Sequence, residues 1–178
     1  MLSRIRSFIK EHNLLDINGG IVLVGLSGGA DSVSLLDVLC KLGYDCVALH
    51  CNFHLRGEES ERDESFAREF AKRKKVPYFA IDFQTASFAE KNKLSIEMAA
   101  RQLRYDWFEE MCKKLNAQAV AVAHHRDDSI ETLLMNLMRG SGIRGLVGIR
   151  PKNGYVVRPL LCVSRADIQD WLGQIGQT

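Results

Sequence analysis

What the chain lacks narrows its class before any motif is considered. No apolar run approaches the roughly 18 residues a membrane-spanning helix needs; the longest, Ile21 to Leu26 and Ala117 to Ala123, are short, and Gln118 breaks the second. The first ten residues carry Arg4, Arg6 and Lys10, so they hold no apolar core of a secretory signal. A cytoplasmic location is the default expectation. The five cysteines, Cys40, Cys46, Cys51, Cys112 and Cys162, are odd in number and never spaced as CxxC. That disfavours both a disulfide framework and a compact zinc or iron–sulfur site. Internal repeats, low-complexity segments and linkers are also missing. Charge is nearly balanced: 24 Lys and Arg against 22 Asp and Glu leave +2. This is too little to advertise a nucleic-acid partner, although basic residues gather at Lys72 to Lys75 and from Arg139 to Arg165.

What is present suits one globular domain. The 178 residues are 46% hydrophobic and 26% charged, enough to build a sizeable core. Ile5, Phe8, Ile9 and His12 mark a short helix, and Asp16 to Gly20 a turn into a first strand. Further strands are expected at Asp45–Cys51, Pro77–Phe83, Ala117–Ala123 and near Tyr155–Val157. Helices are expected over Ala30–Leu42, behind a Ser60 cap with Asp63 three residues on, behind Ser95, after His125, and from Ser164. The helix behind Ser95 has the stripe Ile96, Ala99, Ala100, Leu103, Trp107 and Met111. The one after His125 has Ile130, Leu133, Leu134, Leu137 and Met138, predicted to face inward. Strands that are apolar throughout and alternate with helices describe a mainly parallel, five-stranded, doubly wound α/β sheet with helices on both faces. In such sheets ligands bind at the carboxyl ends of the strands. That edge receives residues 27–32, 50–56 and 124–131.

The first of these segments is an anion site. Gly25, Leu26, Ser27, Gly28, Gly29, Ala30, Asp31 and Ser32 lead a strand through a glycine turn into a helix. Gly28 and Gly29 remove Cβ atoms that would keep backbone N–H groups from a phosphate, and the helix adds its positive end. Ser27 and Ser32 supply hydroxyls. Asp31 would repel phosphate unless a divalent cation lay between them, which points to Mg²⁺. The lysine of a Walker A loop is missing, and the glycine spacing is not GxGxxG.

The second is His124-His125-Arg126-Asp127-Asp128-Ser129-Ile130-Glu131. Asp127, Asp128 and Glu131 crowd the first turns of one helix at i, i+3 and i, i+4 spacing. Acids at a helix start are favourable for capping alone. Three together repel unless a cation, a metal or a substrate ammonium, sits among them, and the histidines add acid–base capacity. Glu97 and Arg101 have the spacing of a surface ion pair. Arg104 has no acid four residues before it and is free to clamp a phosphate. His50, Asn52, His54 and Arg56 fit loop structure and nucleotide contacts equally well.

Taken in order, these segments resemble a known set. Ser-Gly-Gly-Ala-Asp-Ser at 27–32 is similar to the SGGxDS loop of the N-type ATP pyrophosphatases, the PP-loop superfamily, which cleave ATP between the α and β phosphates. Residues 50–60, 95–105, 123–132, 139–146 and 158–161 are similar to successive motifs of the tRNA(Ile)-lysidine synthetases. The resemblance implies an adenine nucleotide alpha hydrolase-like fold and a two-step ligation. ATP adenylates C2 of the wobble cytidine of tRNA(Ile) with a CAU anticodon, and free L-lysine then displaces AMP. It implies ATP at Gly25 to Ser32 with His50 and Asn52, and Mg²⁺ on Asp31. Arg104 would face the leaving pyrophosphate, with His124, Asp128 and Glu131 at the reaction centre and the lysine ammonium. The base is Asp128 or His124. Many relatives read His-x-Asn-His-Gly-Leu-Arg where this chain has Phe53 and His54. Residues 1–178 are expected to be a single catalytic domain without the family's C-terminal tRNA-binding domains, and a homodimer is left open. The closest rival, a tRNA thiolase, is expected to show CxxC or clustered metal-binding cysteines. A nucleotide-binding module without the full chemistry is the other alternative.

Overall fold

A computed structural model describes residues 1–139 and 148–177. The elements are α1 (Leu2–Glu11), β1 (Val22–Gly25), α2 (Ala30–Lys41), β2 (Cys46–Asn52), α3 (Glu58–Lys74), β3 (Tyr78–Asp82), α4 (Thr85–Asn92) and α5 (Ile96–Lys114). They continue with β4 (Ala119–Ala121), α6 (Arg126–Met138), β5 (Lys152–Asn153), β6 (Val156–Val157) and α7 (Arg165–Gln174), a 3₁₀ turn at Pro159–Cys162 preceding α7. The sheet runs β3-β2-β1-β4-β6-β5. All pairings are parallel except β5 with β6. Six strands therefore replace the five expected, because the two-residue β5 folds back on β6 as an antiparallel edge.

The apolar strand runs follow from burial on both faces. Val22 and Val24 point into one core with Ala48, Leu36 of α2, Phe70 of α3 and Trp171 of α7; Ile5 and Ile9 of α1 join it. Leu23 points into the other, with Val47, Leu49, and Trp107, Phe108 and Met111 of α5. Residues i and i+1 of a strand thus serve opposite layers.

Helix limits mostly follow local chemistry. Ser95 caps α5, its hydroxyl accepting from Met98 N at 3.2 Å, and Ser164 caps α7 in a reciprocal box with Asp167. The Ser60 cap is corrected: α3 begins at Glu58 behind Gly57, whose φ of 53° suits glycine, and Glu58, Glu59 and Glu61 occupy its first turn. The apolar stripe of α6 is corrected too. Ile130, Leu134, Leu137 and Met138 are exposed, and the principal neighbour of α6 among the described elements is the 3₁₀ turn. Periodicity reports that one face is apolar, not what covers it. The 139–146 motif lies almost wholly outside the described residues. Among those described, no helix is long and apolar enough to cross a membrane.

One buried charge ties three helices together. Asp37 of α2 is 0% exposed; it accepts from Trp171 Nε1 of α7 at 2.9 Å and pairs with Lys41 at 3.1 Å and with Lys74 of α3. The ammonium of Lys41 also stands 4.5 Å over the Trp171 ring. Removing one member of such a set strands the others in a dry environment. Asp37→Ala is expected to lower the unfolding free energy by about 3–5 kcal/mol, read by urea denaturation; a loss under about 1 kcal/mol would show the network to be dispensable.

Candidate active site

Strand β1 has β2 on one side and β4 on the other, so successive connections leave in opposite directions and open a crevice at the carboxyl end of β1 and β4. After β1, Leu26 N still pairs with Leu49 O of β2 at 2.8 Å. The chain then turns through Gly28, φ 93°, into Gly29, the N-cap of α2. The turn is held from within: Ser32 Oγ donates to Gly29 O at 2.9 Å and accepts from Ser27 N at 3.1 Å, while Gly29 N donates to Ser27 Oγ at 3.4 Å. Gly28 is required twice. Its φ is left-handed, and a Cβ there would lie 2.9 Å from the Asp63 carbonyl of α3. A Cβ on Gly25 would press on the Phe108 ring at 3.1 Å. The glycines thus let α3 and α5 close on the loop, beyond leaving room for a ligand.

After β4, His124 and the N-cap His125 lead into α6. Asp128 turns back to accept from His125 N at 2.9 Å. The His125 ring is buried, with Nε2 3.8 Å from Asp31 Oδ2 and 3.7 Å from Asp128 Oδ1. The acids of two helix starts therefore approach one and the same imidazole nitrogen. Burial pushes the Asp31 carboxyl up from its usual range; His125 opposes the rise and the Asp128 charge adds to it. Burial, then the Arg158 charge, pushes His124 below the ordinary imidazole value. Its Nδ1 is enclosed without a hydrogen-bond partner among the described residues.

Most of the expected residues converge. Gly25, Leu26, Ser27, Gly29, Asp31, Ser32, Arg104, His124 and Asp128 border one cavity of about 360 Å³ whose apolar wall includes Leu49, Phe108 and Val122. Others do not reach it. His50 is buried and bonds Leu26 O through Nδ1 at 2.8 Å, fixing the loop from beneath. Asn52 donates to Glu64 at 3.0 Å and accepts from His54 N at 3.0 Å. Both border a neighbouring groove with Arg56. Gly28 and Ala30 form the turn without facing the cavity. Asp127 is drawn away by Arg165 N at 2.6 Å, and Glu131 is exposed one turn along α6. The crowding of three acids is thus resolved by sending them in three directions.

Several residues at the site make contacts that their place in the sequence does not announce. Phe53 lines the cavity, stacks on Phe83 at 5.5 Å between centroids and lies under the Arg104 guanidinium at 5.1 Å. His54 has φ 51°, the left-handed conformation glycine tolerates best; Asp82 holds its ring at 2.8 Å. His125 was passed over in favour of His124, and Arg158, buried and donating to Arg150 O at 2.9 Å, acts through its charge. Among the described residues no three His, Cys, Asp or Glu side chains form a metal cage.

A doubly wound α/β domain with a glycine turn and two helix starts at its switch point is a class built to hold a phosphorylated ligand. The chain belongs to the PP-loop domain family, whose profile matches residues 2–178, and so to a class of ATP-binding domains. It is 65% identical over 176 residues to the tRNA(Ile)-lysidine synthase of Parabacteroides distasonis, covering 99% of this chain and 40% of that protein. The enzyme of the same name from Bacteroides thetaiotaomicron is 56% identical over 173 residues, 97% of this chain and 40% of that protein. The chain thus spans about 40% of the length of these relatives. Among solved structures, the U34-tRNA thiolase NcsA of Methanococcus maripaludis with its [4Fe-4S] cluster superposes with a TM-score of 0.79 at 16% identity, over 99% of this chain and 63% of that one. The NH3-dependent NAD synthetase of Campylobacter jejuni gives 0.65 at 19%, over 98% and 72%. At such identities the likeness concerns the fold.

The lowered pKa of His124 has a sign that can be checked. A histidine whose folded-state pKa is depressed contributes stability that is full above its unfolded value, about 6.5, and is lost as pH falls through the folded value. Unfolding free energy is therefore expected to fall from pH 7.5 to 5.5, and His124→Gln to flatten that slope, in urea titrations at both pH values. An unchanged slope in the variant would remove His124 from the linkage.

Proposed function

We propose that this domain carries the ATP-dependent chemistry of a tRNA(Ile)-lysidine synthase: adenylation of the wobble cytidine of tRNA(Ile) and attachment of free L-lysine. The reading rests above all on one cavity bordered by the Ser27–Ser32 turn, Arg104, His124 and Asp128, and it is supported by the names of the similar proteins. The turn and the start of α2 offer N–H groups and hydroxyls to the phosphates. The adenine lies against Leu49, Phe108 and Val122, where apolar contact suits a base.

The residues fit Mg²⁺. Asp31 and Asp128 present hard oxygen donors that approach the same nitrogen of His125, and a cation would offset both the burial that raises the Asp31 carboxyl and the smaller repulsion from Asp128. No protein-only cage is needed, because this ion commonly takes one or two carboxylates and completes its shell with phosphates and water. When bound, it supplies positive charge to the pyrophosphate. Arg104, set over Phe53 at the cavity edge, neutralises the same group as it leaves, in the manner of fixed electrostatic stabilisation.

In the first step the cytidine O2 bonds the α-phosphorus and the bond to pyrophosphate breaks. In the second the lysine ε-ammonium first gives up a proton, the lone pair of the resulting amine bonds C2, and the C2–O bond breaks to release AMP. Asp128, with Glu131 further along α6, draws the amine in as ammonium. His124 takes the proton: burial keeps its ring neutral, and its Nδ1 has no competing partner. A thiolase is the less favoured reading, because Cys51 is the one cysteine on the cavity wall among the described residues and no metal-binding cluster accompanies it.

Incubation with Mg·ATP, radiolabelled lysine and unmodified tRNA(Ile) is expected to place label in the RNA with release of AMP and pyrophosphate. Arg104→Ala should slow this by about 10²-fold. Absence of label, with thiolation on addition of a sulfur donor, would overturn the assignment.

A further inference from the structure

Beside the nucleotide cavity lies a second, of about 480 Å³, bordered by the start of α5 and the segment after β2. Phe53 and Arg104 border both, so the two spaces adjoin. Its walls combine features that seldom meet on a surface without a partner. Leu55 is 47% exposed, Ile96 41% and Met98 58%, although Ile96 opens the stripe predicted to face the core. Two guanidiniums rise among them. Arg101 was expected to pair with Glu97 four residues earlier; instead it lies over the Tyr105 ring at 5.1 Å, as Arg104 lies over Phe53 at 5.1 Å. Each stands over an aromatic ring, and neither pairs with a carboxylate among the described residues, which leaves its charge available.

We propose that this groove receives the unpaired RNA nucleotides that flank the reacting cytidine, so that the target base enters the cavity past Phe53 and Arg104. The inference rests on the tRNA reading given above and names the surface that reading does not. Unpaired RNA is recognised by apolar or π surfaces on which base faces lie, with arginines alongside for stacking and phosphate charge. Leu55, Ile96 and Met98 supply the first feature, and Arg101 with Arg104 the second. Charge selects the occupant: two arginines against the single acid Glu97 suit a polyanion. The shared wall of Phe53 and Arg104 sets the groove directly beside the nucleotide cavity.

The test uses the 178-residue chain and a fluorescein-labelled anticodon stem–loop of tRNA(Ile) with CAU in the loop. RNA affinity is read by anisotropy and Mg·ATP affinity by calorimetry, for the unmodified chain, Arg101→Glu and Met98→Glu. Both variants are expected to bind the RNA at least about tenfold more weakly, with ATP affinity changed less than twofold. Arg101→Lys is expected to recover part of the loss, since it restores charge without the planar stack. RNA affinity within twofold of the unmodified chain in both variants would overturn the proposal, as would no RNA binding by the unmodified chain or a matching loss of ATP affinity. A dimer in sedimentation that Met98→Glu dissolves would assign the face to a second copy and equally overturn it. The functional reading fails separately. If lysine is incorporated while the groove variants keep full RNA affinity, the groove is wrong and the ligase reading stands; if lysine is not incorporated, the ligase reading falls whatever the groove binds.

Discussion

The chain between β1 and α2 and the chain between β4 and α6 must start side by side and then diverge, because β1 and β4 are parallel neighbours at the point where strand order reverses. Everything at the site depends on that constraint. It points two helix starts, each with its excess of unpaired N–H groups, at one space, and it brings Asp31 and Asp128 to the same ring nitrogen of the buried His125. The positive helix ends welcome an anion. The two carboxylates reject one unless a cation comes with it. A metal-bound triphosphate would satisfy both demands together, and an ammonium-bearing nucleophile would satisfy the second on its own, which is the physical basis of the adenylation and aminolysis proposed above.

Such a crevice has to be braced from outside, since helix starts that repel each other do not stay in place unaided. The brace on α2 is at its far side, where Asp37 engages Trp171, Lys41 and Lys74. The glycine turn is braced from beneath by His50 on Leu26 O and from above by the close approach of Asp63 to Gly28. On α6 the brace is the C-terminal segment: Arg126 N donates to Val163 O at 2.9 Å, and Arg165 N to Asp127. His50, Asn52 and Asp127, which read in isolation as ligand contacts, have protein partners in this structure, at Leu26, Glu64 and Arg165. Ser27, Ser32 and Asp128 border the cavity while also making local hydrogen bonds.

How much of this is legible in the sequence follows from the range of the forces involved. The glycine turn, the caps at Ser95 and Ser164 and the apolar strands are local or periodic, and they stand in the structure much as residue type predicts. The parallel order of the sheet follows from alternation of strand and helix. What escapes is decided by contacts far apart in the chain. Nothing near Asp127 announces that a backbone N–H at Arg165 will claim it; Arg101 is a local ambiguity instead, since Glu97 and Tyr105 both stand four residues from it and spacing alone does not choose the ring. The choice between His124 and His125 turns on which ring the strand pleat and the α6 cap bury, and identical neighbours give no clue. The exposed stripe of α6 is a different failure, because a hydrophobic pattern is blind to its partner.

The central claim is that the two loops at the switch point form one site. Hydrogen–deuterium exchange with and without Mg·ATP tests it directly, since it reads each backbone segment independently. The amides of residues 25–33 and 122–129 are expected to slow together when the nucleotide is added, while α1 and the exposed face of α3 exchange as before. Protection confined to one of the two segments, or found in neither, would contradict a shared site and separate the glycine turn from the chemistry assigned to His124 and Asp128.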